Sequence, residues 1–135
     1  MKIYPEYVAK DRVMQPGQEG SAVDALDFVW KGSRILGQIY VPVHTPGEKH
    51  PLAITLHGFP GYTNNQDLDH ALRRTGFVTV HPFAPGAWGS EGYYSFDASW
   101  NAPWRCWITA RPMSSRKNII SAATTSSSWV IPWAA

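Results

Sequence analysis

The sequence predicts an α/β domain: an antiparallel hairpin, then a parallel βαβ unit, then an irregular C-terminal tail. Three observations carry that prediction. Two β-rich runs, residues 25–30 and 35–41, flank a short glycine-bearing turn at 31–34. An apolar run over 52–56 is followed by a helix-patterned segment and then by another β-rich run at 77–80. Beyond Asp97 the composition changes abruptly, and no periodicity persists for more than a few residues.

Residues 1–20 mix charges with Pro16, Gly17 and Gly20, and read as an extended or partly disordered arm with room for a short strand at 7–13. In the hairpin, Pro42 ends the second strand, and 45–49 is a polar surface loop. The run Leu52, Ala53, Ile54, Thr55, Leu56 shows little alternation, as in a strand buried on both faces. The helix runs over 66–75. Asn64 or Asn65 can cap it, Asp67 suits its positive end, and Arg73 and Arg74 suit its negative end. Leu68, Ala71 and Leu72 fall at i, i+3 and i+4 and form the apolar stripe expected to face the sheet. Gly76 supplies the stop. Strand, helix and strand at this spacing make a right-handed crossover with parallel pairing.

The bulk numbers exclude several classes. At 135 residues the chain is one domain at most. A net charge of +2 argues for neither nucleic acid nor membrane, and no segment reaches the length of a membrane-spanning helix. The N-terminus has no long apolar run, and the one cysteine, Cys106, cannot form an internal disulfide, so a cytoplasmic protein is expected. His44, His50, His70 and His81 lack ligand spacing, so no metal is expected. Asp67 and Asp69 lie two apart on the helix and read as a solvated face. Neither a Walker A string nor a GxGxxG occurs, so no nucleotide cofactor is implied.

The string Leu56, His57, Gly58, Phe59, Pro60, Gly61 after an apolar strand resembles the α/β-hydrolase superfamily, in particular its serine esterase and peptidase-like branches. The resemblance covers roughly residues 20 to 97. It implies that the loop after this strand supplies half of an oxyanion hole. The donor would be the backbone N–H of Phe59, with His57, Gly58 and Gly61 shaping the loop. The glycine-rich loop at 86–92 is similar to the family's loop after its fourth strand. The family's substrate would be a small-molecule acyl compound, cleaved through an acyl-enzyme on a serine.

That chemistry needs a nucleophilic serine on a strained elbow, a histidine base and an orienting acid. No Gly-x-Ser-x-Gly occurs. The nearest string places Trp88 where the first glycine belongs and lies after the wrong strand, so Ser90 reads as a loop-shaping serine. His57 reads as a loop residue bonded to backbone rather than a base. No residue is assigned a catalytic role.

Residues 98–135 contain no Asp, Glu, Gly, His, Phe or Tyr, but hold Trp100, Trp104, Trp107, Trp129 and Trp133 and four basic residues. Tryptophan, arginine and serine rising while every acid vanishes is the expected signature of a GC-rich gene translated out of frame. The expected organisation is an arm at 1–20, the N-terminal part of an α/β-hydrolase domain at 21–97, and a disordered tail at 98–135. The functional expectation is a truncated serine hydrolase, inactive alone. The alternative is a small non-enzymatic binding module that uses the basic, Trp-rich tail as its contact surface.

Overall fold

A computed structural model describes residues 2–58, 65–99 and 101–102. Among the described residues four strands form one mixed sheet: β1 (Ala22–Trp30), β2 (Ser33–Val41), β3 (Leu52–Ile54) and β4 (Val78–Pro82), in the spatial order β1-β2-β4-β3. The expected hairpin is present, with Ala22 opposite Val41 and Trp30 opposite Ser33. Its turn is tighter than the four residues expected. Lys31 and Gly32 take φ of 48° and 80°, the double left-handed conformation of a two-residue turn whose twist matches the strands it joins.

β4 pairs antiparallel with β2 and parallel with β3. The crossover between β3 and β4 is α1 (Gln66–Arg74). Its end follows the sequence closely. Thr75 caps it, and Gly76 takes φ of 103°, a conformation costly for any residue with a Cβ. The Phe77 N–H then donates to Leu72 O and the Gly76 N–H to Arg73 O, a paired closure that satisfies the last carbonyls. At the other end Asn65 stands at the cap position but makes no capping bond; its Nδ2 donates to Leu56 O at 3.4 Å.

Register assigns the two sheet faces. Leu26, Phe28, Ile35, Ile39, Val41, Val78 and Val80 share one face and form the apolar core, with Leu52 packed against it. Thr55, Thr79, His81 and Tyr40 lie on the other face, under α1: Tyr40 meets His70 edge-on at 5.1 Å. Burial and the charge of Asp69 push the Tyr40 phenol up to about 12, so it stays protonated and donates to Gln38 Oε1.

Three expectations are corrected. The apolar stripe on α1 does not face the sheet as a whole: Leu68 is half exposed, and the helix instead buries Asp69 and Arg73. The run at 52–56 is a strand for only three residues and is not buried on both faces, since Ile54 is 40 % exposed. The Thr55 N–H donates to Val80 O and Pro51 O accepts from the Val78 N–H, so odd-numbered residues face β4 and the backbone groups of Leu52 and Ile54 point away from the sheet. No strand forms at 7–13. Pro5 instead opens a short 3₁₀ turn (Pro5–Tyr7), a position its fixed φ favours. The arm is tied down by Tyr4 N–H to Thr75 O, by the Arg73–Asp11 ion pair at 2.7 Å and by a bridge between Glu19 and His44.

His50 pins the segment before β3 to the turn after α1. Its Nδ1 donates to Gly76 O at 2.9 Å, and its side chain is fully buried. Burial holds the imidazole below its usual range; Gly76 O and Glu48 oppose that shift, while His44 and Arg12 add to it. The folded form therefore carries neutral His50, and the unfolded chain takes up the proton first. The stabilisation is complete above about pH 6.5, the unfolded value, and is lost as pH falls from there through the folded value. Urea midpoints measured from pH 7.5 down to 5 are expected to fall, and the fall is expected to be shallower in His50→Gln.

The described part of the sequence tail is short. Residues 96–99 and 101–102 are helical, and Ala98 and Ala102 are buried. The remainder of the tail, with Cys106 and the tryptophan-rich surface of the binding-module reading, lies outside the described residues. Among the described residues, no helix is long and apolar enough to cross a membrane.

Candidate functional site

Two parallel strands end side by side at β3 and β4, and the loops leaving their carboxyl ends form the edge where open α/β sheets bind ligands. The loop after β3 begins with Thr55, Leu56, His57 and Gly58. The loop after β4 begins with Phe83 and Ala84. A hydrogen bond joins their described parts: the Ala84 N–H donates to His57 Nε2 at 2.9 Å. Accepting there leaves the proton on Nδ1, which lies 3.2 Å from Gly58 O. His57 thus fixes the take-off of the loop in its neutral form. Gly58 is exposed. Phe59 and Gly61, the expected oxyanion donor and its loop partner, lie outside the described residues.

Beneath the loops sits a group of side chains that the sequence did not reveal. Asp69, on the first turn of α1, meets His81 on β4 with Nδ1 to Oδ2 at 2.6 Å, and both side chains are fully buried. The Thr55 hydroxyl, one residue past β3, donates to the other carboxylate oxygen, Asp69 Oδ1. The carboxylate is thereby held from two strands at once, and α1 is fastened over their ends. The reading of Asp69 as part of a solvated face is overturned. Burial of a carboxylate is tolerated only when partners satisfy it, and here an imidazole and a hydroxyl do so. The His57 ring lies parallel to that of His81, tilted by 16° with centroids 6.4 Å apart.

An aspartate orienting an imidazole through Nδ1 is the arrangement that prepares a histidine base. In this pair, however, His81 Nε2 is sealed from solvent and has no hydrogen-bond partner among the described residues. A substrate cannot reach it, so the pair acts as a strut under the loops.

Ser90 is equally enclosed. Its Oγ accepts the Leu36 N–H at 3.0 Å and lies 3.4 Å from Phe83 O, joining the glycine-rich loop to β2. Glu91 extends that seam: its carboxylate accepts the Arg34 N–H at 2.8 Å. Among the described residues, no three His, Cys, Asp or Glu side chains converge as metal ligands.

Comparisons with solved proteins agree with this architecture. The thioesterase domain from the curacin biosynthetic pathway superposes with a TM-score of 0.52 at 19% identity, over 64% of this chain and 31% of that one. Brefeldin A esterase, a bacterial homologue of human hormone sensitive lipase, gives 0.56 at 14% identity, over 84% and 33%. The fold is that of an α/β-hydrolase, in part. A hypothetical protein from Pseudomonas aeruginosa gives 0.54 at 17% identity, over 88% of this chain and 39% of that one. The chain spans about a third of the length of these α/β-hydrolase-like structures. No protein-family model matches the sequence, and the comparison with curated proteins finds no match.

Sequence reasoning missed the Asp69, His81 and Thr55 group because its members sit in three different elements. The available signal was weak but real: a histidine in an otherwise apolar strand, followed by proline, and a helix too polar to dock on apolar contacts alone.

Proposed function

We propose that this chain is the N-terminal part of a serine α/β-hydrolase whose intact relatives cleave an ester, thioester or peptide bond. The observation that carries the proposal is a likeness in fold to a thioesterase domain and an esterase, limited to about a third of their length. The His57 to Gly61 loop is the oxyanion loop in this reading, and the Phe59 N–H is the donor. The Ala84 bond to His57 supports it, since a donor for developing charge works only from a fixed position.

The chain alone is inactive in this reading. It carries no Gly-x-Ser-x-Gly, and Ser90 is tied into the scaffold. A surviving oxyanion donor stabilises charge that only nucleophilic attack creates. Residues after Asp97 come from an out-of-frame stretch of the gene, and another frame of the same DNA encodes a helix followed by the elbow. Sequencing the locus tests the genetic half: stop codons throughout the other frames refute it. A p-nitrophenyl ester tests the chemical half. The expected result is no burst and no turnover above buffer, and turnover abolished by a serine-directed fluorophosphonate would overturn it.

A further inference from the structure

The surface opposite the strand ends holds a second candidate site. A cleft between the arm, the end of β2 and the C-terminal end of α1 is lined by Asp11, Arg12, Val43, Arg73, Arg74 and Gly76. Its cavity is about 10 Å³, room for one water-sized oxygen. Three arginines and one aspartate are among the lining residues, an excess of two positive side chains.

That carboxylate is committed, with Asp11 Oδ1 held by Arg73 Nη2 at 2.7 Å. Arg12 lies over the Tyr4 ring at 4.1 Å and donates to Val43 O, and Arg74 Nε donates to Val8 O at 2.9 Å. The carbonyls at the helix end are committed too: Leu72 O to Phe77 N–H and the Thr75 hydroxyl, Arg73 O to Gly76 N–H, Thr75 O to Tyr4 N–H, and Gly76 O to His50. One strong donor is left over. Arg73 is 8 % exposed at its side chain, and its Nε is buried with no acceptor among the described residues. A buried N–H without a partner is destabilising, and more so when it belongs to a charged group.

We propose that this cleft binds a phosphate group, one oxygen of which enters the cavity and accepts the Arg73 Nε–H. A dianion matches the two guanidinium charges that Asp11 leaves unbalanced, and the planar donor fork of arginine suits a tetrahedral oxyanion. A carboxylate balances only one of them.

Inorganic phosphate, titrated at constant ionic strength so that surface screening stays fixed, is the first probe. The expected result is a saturable rise in melting temperature. Arg74→Gln removes one charge at the mouth of the cleft. Arg73→Lys keeps the charge beside Asp11 but loses the buried Nε–H. Each is expected to weaken phosphate affinity about tenfold or more, the worth of one charge-assisted hydrogen bond, while Lys31→Gln leaves it unchanged. The second probe is sedimentation with phosphatidylcholine vesicles containing phosphatidic acid. Vesicle binding lost in Arg74→Gln, with no response to free phosphate, assigns the group to a lipid headgroup. No saturable response to either probe, or an undiminished response in both arginine variants, overturns the proposal.

Discussion

Replacing Asp69 with alanine is expected to lower the free energy of unfolding by about 3–5 kcal/mol, the usual cost of removing one partner from a buried ion pair. The side chain is fully buried, and its loss takes the acceptor from the Thr55 hydroxyl and leaves His81 Nδ1 only the Thr55 oxygen, 3.2 Å away. Against a typical stability of about 5–15 kcal/mol, that is enough to leave a large unfolded fraction at ordinary temperature. Urea denaturation followed by tryptophan fluorescence measures it. The paired variant Asp69→Leu with His81→Phe is expected to be more stable than Asp69→Ala alone, because it removes both buried polar partners together and leaves neither uncompensated. A loss below about 1 kcal/mol in Asp69→Ala would place the pair in the class of surface ion pairs and contradict its role as a strut.

The second large effect falls on Gly37. This residue lies in β2 between Leu26 and Pro82. A Cβ built there stands 2.5 Å from His81 O and 2.8 Å from Pro82 Cα, both backbone atoms that cannot rotate away. Gly37→Ala therefore forces β2 and β4 apart at the point where Pro82 already offers no N–H to the ladder. A cost of about 3 kcal/mol is expected, at the upper end for overpacking. Gly20→Ala is the control, since its nearest neighbour is Met14 Sδ at 3.9 Å and its φ is ordinary. A Gly37→Ala midpoint equal to that of Gly20→Ala would show that the strands separate without cost.

What could be read from the sequence follows from how local each cause is. The hairpin was legible because its turn chemistry and its β-rich flanks are contiguous. The helix stop at Gly76 was legible for the same reason: one residue with positive φ decides it. The α1 face was not. A hydrophobic pattern marks Leu68, but the helix docks through a carboxylate whose partners lie 12 and 14 residues away in other elements. The length of β3 was not legible either, because the apolar run continues past the last residue that pairs with β4. At the candidate site, the loop sequence pointed to His57 as bonded to backbone, but only the fold brings Ala84 to it.

Strand order has a further consequence. Among the described residues β4 is the last strand in sequence, yet it lies between two that precede it. A polypeptide growing from its N-terminus makes its hairpin early, but β3 has no neighbour until residue 78 exists. The sheet behaves like an arch whose keystone is set last. Until that stretch is made, β3 has no strand to pair with, and the four strands become one sheet only when β4 inserts between β2 and β3.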